Sequence, residues 1–194
     1  ACLVHIALDQ LLQDKHVIHI TFSDKPDHIK DWYEDLFTEI SKINNLENAM
    51  EVHDTIIANR IIMNFAQDGI HITEIEKSIQ NMIEKGGFKA EILVIDNYDF
   101  SRSSADELKD FKKFAENYNL SLWFSVTQEN NKYDGTKIPD VLSDDLKDEI
   151  DVIVGLQPQG KNIHLNLLKD HDNKNLPEMH LKVDSEHLLI EVED

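Results

Sequence analysis

Apolar positions recur along the chain with two different periods, and the change of period divides it. In Cys2–Leu12, the residues Leu3, Ile6, Ala7, Leu11 and Leu12 fall on one face at helical spacing, which predicts a first helix. Residues 17–22 (Val-Ile-His-Ile-Thr-Phe) read as a short buried strand. Asp27–Ile43 carries Ile29, Trp32, Tyr33, Leu36, Phe37 and Ile40 at helical spacing, with Pro26 suited to the helix's first turn. Residues 56–65 stay ambiguous, because Ile56, Ile57, Ile61 and Ile62 are β-branched and favour a strand without excluding a helix. Thr73 is placed to cap a helix running to Glu84, with Ile75, Ile79, Met82 and Ile83 inward and Gly86 and Gly87 as its stop.

Residues 92–95 (Ile-Leu-Val-Ile) form a continuous apolar run ending in Asp96, as expected of a strand buried on both faces. Another helix is predicted over residues 104–118, with Leu108, Phe111, Phe114 and Ala115 as its stripe. Residues 120–126 give a third strand and residues 152–154 a fourth. Beyond them Ile163, Leu165 and Leu167, then Met179, Leu181 and Val183, alternate with polar residues, and residues 188–192 add a last short run. That is antiparallel strand material, with turns expected at residues 157–160, 173–177 and 184–186. The expected architecture is therefore α/β: a mixed sheet, parallel in its core, flanked by helices and followed by a C-terminal antiparallel meander. One domain over residues 1–194 is expected, with an α/β core in 1–156 and the C-terminal strands in 157–194.

Composition narrows the partners. Hydrophobic residues make up 41% of the chain, enough for a packed core. Nineteen Lys and Arg against 38 Asp and Glu leave a net charge of −19, with no basic cluster to offset it. Such a field repels phosphate backbones and anionic lipids, so neither nucleic acid nor a membrane is expected as a partner. The single cysteine, Cys2, excludes an internal disulfide and every multi-Cys metal framework. No run is long enough to span a bilayer, and the apolar start lacks a basic flank and carries His5 and Asp9. A soluble, cytoplasmic protein is expected.

Several residues invite chemistry. Asp96, at the end of a buried strand, has the form of a Walker B carboxylate that holds Mg²⁺ through water, or else it caps the following turn. Asp24 follows the strand of residues 17–22 on the same edge and could orient a water as a general base, although Ser-Asp-Lys-Pro-Asp is also ordinary turn and cap chemistry. Thr127 and Gln128 end the third strand at that edge, where a Gln could sense a terminal phosphate. Residues 155–161 (Gly-Leu-Gln-Pro-Gln-Gly-Lys) match G-x-x-x-x-G-K, but Asn162 replaces the required hydroxyl and an alternating strand follows in place of a helix. Pro158 also removes a backbone donor, so the segment is read as a hairpin. The ten histidines show no i, i+4 zinc spacing and are expected to be solvated or capping.

Taken in order, these segments resemble the RecA superfamily, most closely its KaiC/RadA-like branch. Residues 17–29 look like the KaiC strand that ends in two glutamates, residues 91–97 (Glu-Ile-Leu-Val-Ile-Asp-Asn) like its Walker B strand, and residues 120–128 like the following sensor strand. Residues 150–156 and 163–169 look like the late strand pair, whose second member usually ends in Lys-x-Arg. The resemblance implies a RecA-like mixed sheet. It also implies Mg-ATP chemistry, with Mg²⁺ near Asp96, water activation by Asp24 and nucleotide contacts from Gln128 and Lys169.

The departures weaken that chemistry. The phosphate loop and its strand, which in the family precede the first helix, are missing from this sequence. The glutamate pair is Ser23–Asp24, and the late motif is Lys169-Asp170-His171, without the arginine offered to a neighbour's nucleotide. The family buries the missing strand inside its sheet, so the expectation is that either the flanking strands pair directly or an upstream segment lies outside this sequence. The expectation is a degenerate RecA/KaiC-like domain with no cofactor, acting as a regulatory or protein-interaction module through a protein partner or self-association. The alternative is a KaiC-like ATPase domain whose phosphate loop lies outside this chain.

Overall fold

A computed structural model describes residues 2–22, 27–65, 72–127, 133–184 and 186–193. Its elements are α1 (Cys2–Leu12), β1 (His16–Thr21), α2 (Asp27–Ile43), α3 (Ala49–Ala58), β2 (Arg60–Asn64), α4 (Ile72–Glu84), β3 (Ala90–Asp96), α5 (Ala105–Asn117), β4 (Ser121–Phe124), α6 (Asp144–Glu149), β5 (Val152–Gln159), β6 (Asn162–Asp170), β7 (Leu181–Asp184) and β8 (Ile190–Val192). A single 3-10 turn, Phe100–Arg102, lies between β3 and α5.

The first half is a three-layer α/β unit. Strands β2-β1-β3-β4 form a parallel sheet in that order. Alternation along β3 serves both faces: Ile92 and Val94 enter one apolar cluster, and Leu93 and Ile95 the other. The first cluster is roofed by α1, α2 and Ile56 of α3, the second by α4 and α5. Burial on both sides is why β1 and β3 read as near-continuous apolar runs. The buried face of α1 is Val4, Ala7, Leu8 and Leu11, while Leu12, expected inward, is exposed.

With few glycines, the chain turns its helix ends with Asn and Asp. Asp14, Asn45 and Asn119 adopt left-handed φ of 61°, 47° and 54° just past α1, α2 and α5. After α5, Leu120 N donates to Ala115 O at 2.8 Å and Asn119 N to Glu116 O at 3.0 Å, the paired bonds of a Schellman end. Leu120 and Ala115 share the second cluster, so this cap also aims the chain into β4. At the other end of α5, Ser104 and Glu107 form a reciprocal capping box.

The ambiguous residues 56–65 divide between the end of α3 and β2, and Asn59 ends the helix. Helix α4 begins at Ile72, so Thr73 lies inside its first turn and does not cap it. The first hairpin turn is Gly160 and Lys161, later than expected, because β5 runs on to Gln159.

One expectation needs a larger correction. The mixed sheet is two sheets: among the described residues β4 pairs only with β3, and β5 pairs only with β6 in an antiparallel meander of order β5-β6-β7-β8. After β4 the chain leaves the edge. It returns through α6, whose Leu146 packs with Leu142, Phe100, Leu108 and Ile153, and enters β5 as the first strand of a new ladder. Strands β4 and β5 therefore do not pair with each other. The far end of the meander reaches the first layer, where Leu189 packs in the α1 cluster and Ile190 N donates to His5 Nε2 at 3.3 Å.

Among the described residues, no helix is long and apolar enough to cross a membrane.

Candidate functional site

The C-terminal edge of the parallel sheet gathers a polar row. Thr21, at the end of β1, is opposite Asn64 of β2 on one side and Asp96 of β3 on the other. Asp96 Oδ1 accepts from Ser125 Oγ at 2.5 Å, and the same Oγ accepts from Asn97 N at 3.1 Å. The backbone fixes this arrangement: Ser125 N donates to Ile95 O at 3.0 Å, Phe22 N donates to Asp96 O at 3.2 Å, and Asn97 turns the chain away with φ of 58°. The carboxylate therefore sits at the C-terminal edge of the parallel sheet, where a strand-end hydroxyl holds one of its oxygens.

One step behind the row, on the same face, is His19. It is fully buried, which corrects the expectation of a solvated or capping histidine. Its Nδ1 lies 3.0 Å from the Tyr33 hydroxyl, while Nε2 has no hydrogen-bond partner among the described residues. Burial holds His19 down to about 4, against the opposing pull of the Asp96 carboxylate and with a smaller downward push from Arg60. Burial likewise pushes the Tyr33 phenol up, only partly offset by Arg60. The Arg60 guanidinium stacks over the Tyr33 ring, 4.1 Å from its centroid.

Of the other residues singled out, Asp24, Gln128 and the neighbouring Ser23 and Pro26 lie outside the described residues. Lys169 is in β6 opposite Ile153, and its amine donates to the Lys147 carbonyl in α6. That contact ties β6 of the meander to the end of α6.

Residues 155–161 are a hairpin, as expected. Gly155 lies within β5, and Gly160, with φ of 64°, takes the first position of a two-residue turn. A Cβ on Gly155 would lie 2.1 Å from Gly135 O, so this glycine exists to let residue 135 cross the strand. Asn166 Nδ2 donates to Gly135 O at 3.2 Å and pins the crossing.

Residues 155–161 do not have the geometry of a phosphate loop. The segment with a phosphate-loop spacing has its backbone donors in a β-ladder, and no helix follows it. Among the described residues, no group of three or more His, Cys, Asp and Glu is arranged to hold a metal ion. Several histidines are instead paired with carboxylates, including His53 with Glu34 and His187 with Asp184.

Ser125 and His19 are the site residues that sequence reasoning missed. Ser125 was open to discovery, since setting residues 92–95 beside 121–124 in parallel brings it level with Asp96. His19 gave a weaker signal, one of two imidazoles in a strand whose other residues are apolar or hydroxyl-bearing. No protein-family model and no curated protein matches this chain.

Proposed function

We propose that the chain is a RecA-like, KaiC-related domain that works as a regulatory or protein-interaction module without hydrolysing ATP. The observation that carries this reading is the fate of residues 155–161. The segment resembling a phosphate loop is a hairpin, with Gly155 packed against the Gly135 backbone. Phosphate binding needs converging free N–H groups at a helix N-terminus. The engagement of Asp96 by Ser125 adds support, because it gives that carboxylate a structural partner. The parallel sheet with its acidic C-terminal edge accords with RecA-like ancestry.

A second reading is favoured by one observation: the β4 edge, next to the strand that ends in Asp96, carries no further strand among the described residues. In that reading a segment outside these 194 residues supplies a phosphate loop, and Asp96, Asp24 and Gln128 serve an ATPase.

Titration calorimetry of the 194-residue protein with Mg²⁺ and a non-hydrolysable ATP analogue tests the first reading. Silence up to millimolar nucleotide is expected. Binding at micromolar affinity overturns it, and heat that Asp96→Asn abolishes favours the ATPase.

A further inference from the structure

Across the β5–β6 ladder Gln157 is opposite His164 and Gly155 is opposite Asn166, so Gln157, His164 and Asn166 lie on one side of it. Between this side and the strap of residues 176–180 is a cavity of about 280 Å³, also lined by Glu193 just past β8. That is about the size of the smallest ligand sites. The strap is held in place: Glu193 N donates to His180 O at 2.8 Å, with His180 at φ of 49°.

Internal bonds fix which polar atoms remain for a ligand. Asn166 Nδ2 donates to Gln157 Oε1 at 3.1 Å and to Gly135 O at 3.2 Å, so both of its amide hydrogens are spent and the carbonyl Oδ1 remains. His164 Nδ1 is paired with Glu193 Oε1, which leaves Oε2 of that carboxylate. Both remaining groups are acceptors, set in advance by their neighbours. Glu193 is 28% exposed, and Glu178 adds a second carboxylate at the rim, 87% exposed. Among the described residues the lining holds no Lys or Arg, while Leu176, Pro177 and Met179 make one wall apolar.

We propose that this cavity binds an alkylguanidinium, carried either by an arginine side chain of a polypeptide or by a free guanidino compound. A cation with N–H donors answers the free Oδ1 of Asn166 and the carboxylate of Glu193, and its aliphatic stem suits the apolar wall. Asn166 and His164, which anchors Glu193, are two residues apart on β6, hence ~7 Å along the strand. That spread suits a planar fork of five donors better than the point charge of an ammonium. The cavity belongs to the meander and not to the sheet edge of Asp96, so its ligand goes beyond the regulatory reading given above and does not depend on it.

The test is titration calorimetry with NMR of side-chain amides on the 194-residue protein, using three probes of equal charge. These are butylguanidine, pentylamine and the blocked tripeptide acetyl-Gly-Arg-Gly-amide. Butylguanidine should bind one to one and shift the Asn166 side-chain signals, and pentylamine should bind at least tenfold more weakly. Glu193→Gln should weaken butylguanidine about tenfold or more, as expected of a lost bond between charged groups. Gln159→Lys puts a cation into the lining without touching the Asn166 or His164 bonds, and should abolish binding with an unaltered far-ultraviolet spectrum. Glu191→Gln, on β8 outside the lining, should change nothing. A tripeptide that binds as tightly as butylguanidine identifies a polypeptide as the source, and one that fails beside it identifies a free compound. The site is overturned by silence up to millimolar butylguanidine, by equal affinity for pentylamine, by binding that survives Gln159→Lys, or by equal weakening in Glu191→Gln.

Discussion

The Nδ1 atom of His19 in β1 and the hydroxyl of Tyr33 in α2 lie 3.0 Å apart, a single polar contact inside an otherwise apolar layer. Among the described residues Nε2 is buried without a hydrogen-bond partner, and Tyr33 supplies the hydrogen bond that the imidazole makes. Removing one partner of a buried pair leaves the other with its full desolvation penalty, whereas removing both can be nearly neutral. Tyr33→Phe is therefore expected to destabilise the protein by about 1–3 kcal/mol. The double variant His19→Leu with Tyr33→Phe should lie well short of the sum of the singles. Urea unfolding of the four proteins in a double-mutant cycle measures this, and strict additivity would refute the pairing.

The same histidine sets a pH dependence. Its folded value of about 4 is below the ordinary 6.5, so the unfolded chain takes up a proton first as pH falls. Stability is unaffected by this group above about pH 6.5 and declines as pH drops from there to about 4. The full loss is about 3 kcal/mol at 1.36 kcal/mol per pH unit. Wild type and His19→Leu, unfolded in urea across this range, should diverge by a slope that flattens below pH 4. Parallel curves would sink the assignment.

The row at the sheet edge separates structure from chemistry. Ser125→Ala removes the donor to Asp96 and the acceptor for Asn97 N together, and should cost about 1–3 kcal/mol. Asp96→Asn keeps an acceptor oxygen, so its cost should be smaller, and nucleotide calorimetry should be as silent as for wild type. A nucleotide heat present in wild type and lost in Asp96→Asn would return the carboxylate to a metal-binding role.

How far the sequence reaches can be read from β3 and from Gly155. The run Ile92-Leu-Val-Ile ending in Asp96 was legible because burial on both faces leaves no polar position to disguise it. The helix starting at residue 104 was equally local, read from its apolar stripe, and the structure closes its start with the Ser104–Glu107 capping box. The break between β4 and β5 was not legible, because pairing depends on where a chain returns after leaving an edge. No periodicity encodes the α6 detour or the crossing of Gly135 over Gly155. His19 was missed for a related reason: strand alternation gives its face, but not the Tyr33 hydroxyl that comes from a helix 14 residues away.

That crossing makes a graded prediction within one hairpin. Gly155→Ala would drive a Cβ to 2.1 Å from backbone, where no side chain can yield, and should cost 2–3 kcal/mol or more, at the upper end of overpacking. Gly160→Ala meets open space but must hold φ of 64°, so about 1 kcal/mol is expected. Lys161→Ala, in the turn, should leave thermal stability unchanged. Melting curves of the three variants check the order, and a costly Lys161→Ala beside a harmless Gly155→Ala would restore the phosphate-loop reading of this segment.

Lys169 gives the last test, because the family resemblance and the structure assign its amine different work. Its amine donates to the Lys147 carbonyl, in the last turn of α6, where a cation also complements the negative end of the helix. Lys169→Met keeps most of the aliphatic stem and deletes the charge. The variant should lose about 1–2 kcal/mol, with faster hydrogen exchange confined to α6 and the adjoining part of β5. A group serving a nucleotide would behave in the opposite way, leaving exchange in α6 untouched and lowering a measurable ligand affinity. Exchange mapped on the variant, with calorimetry on the same sample, decides which work the amine performs.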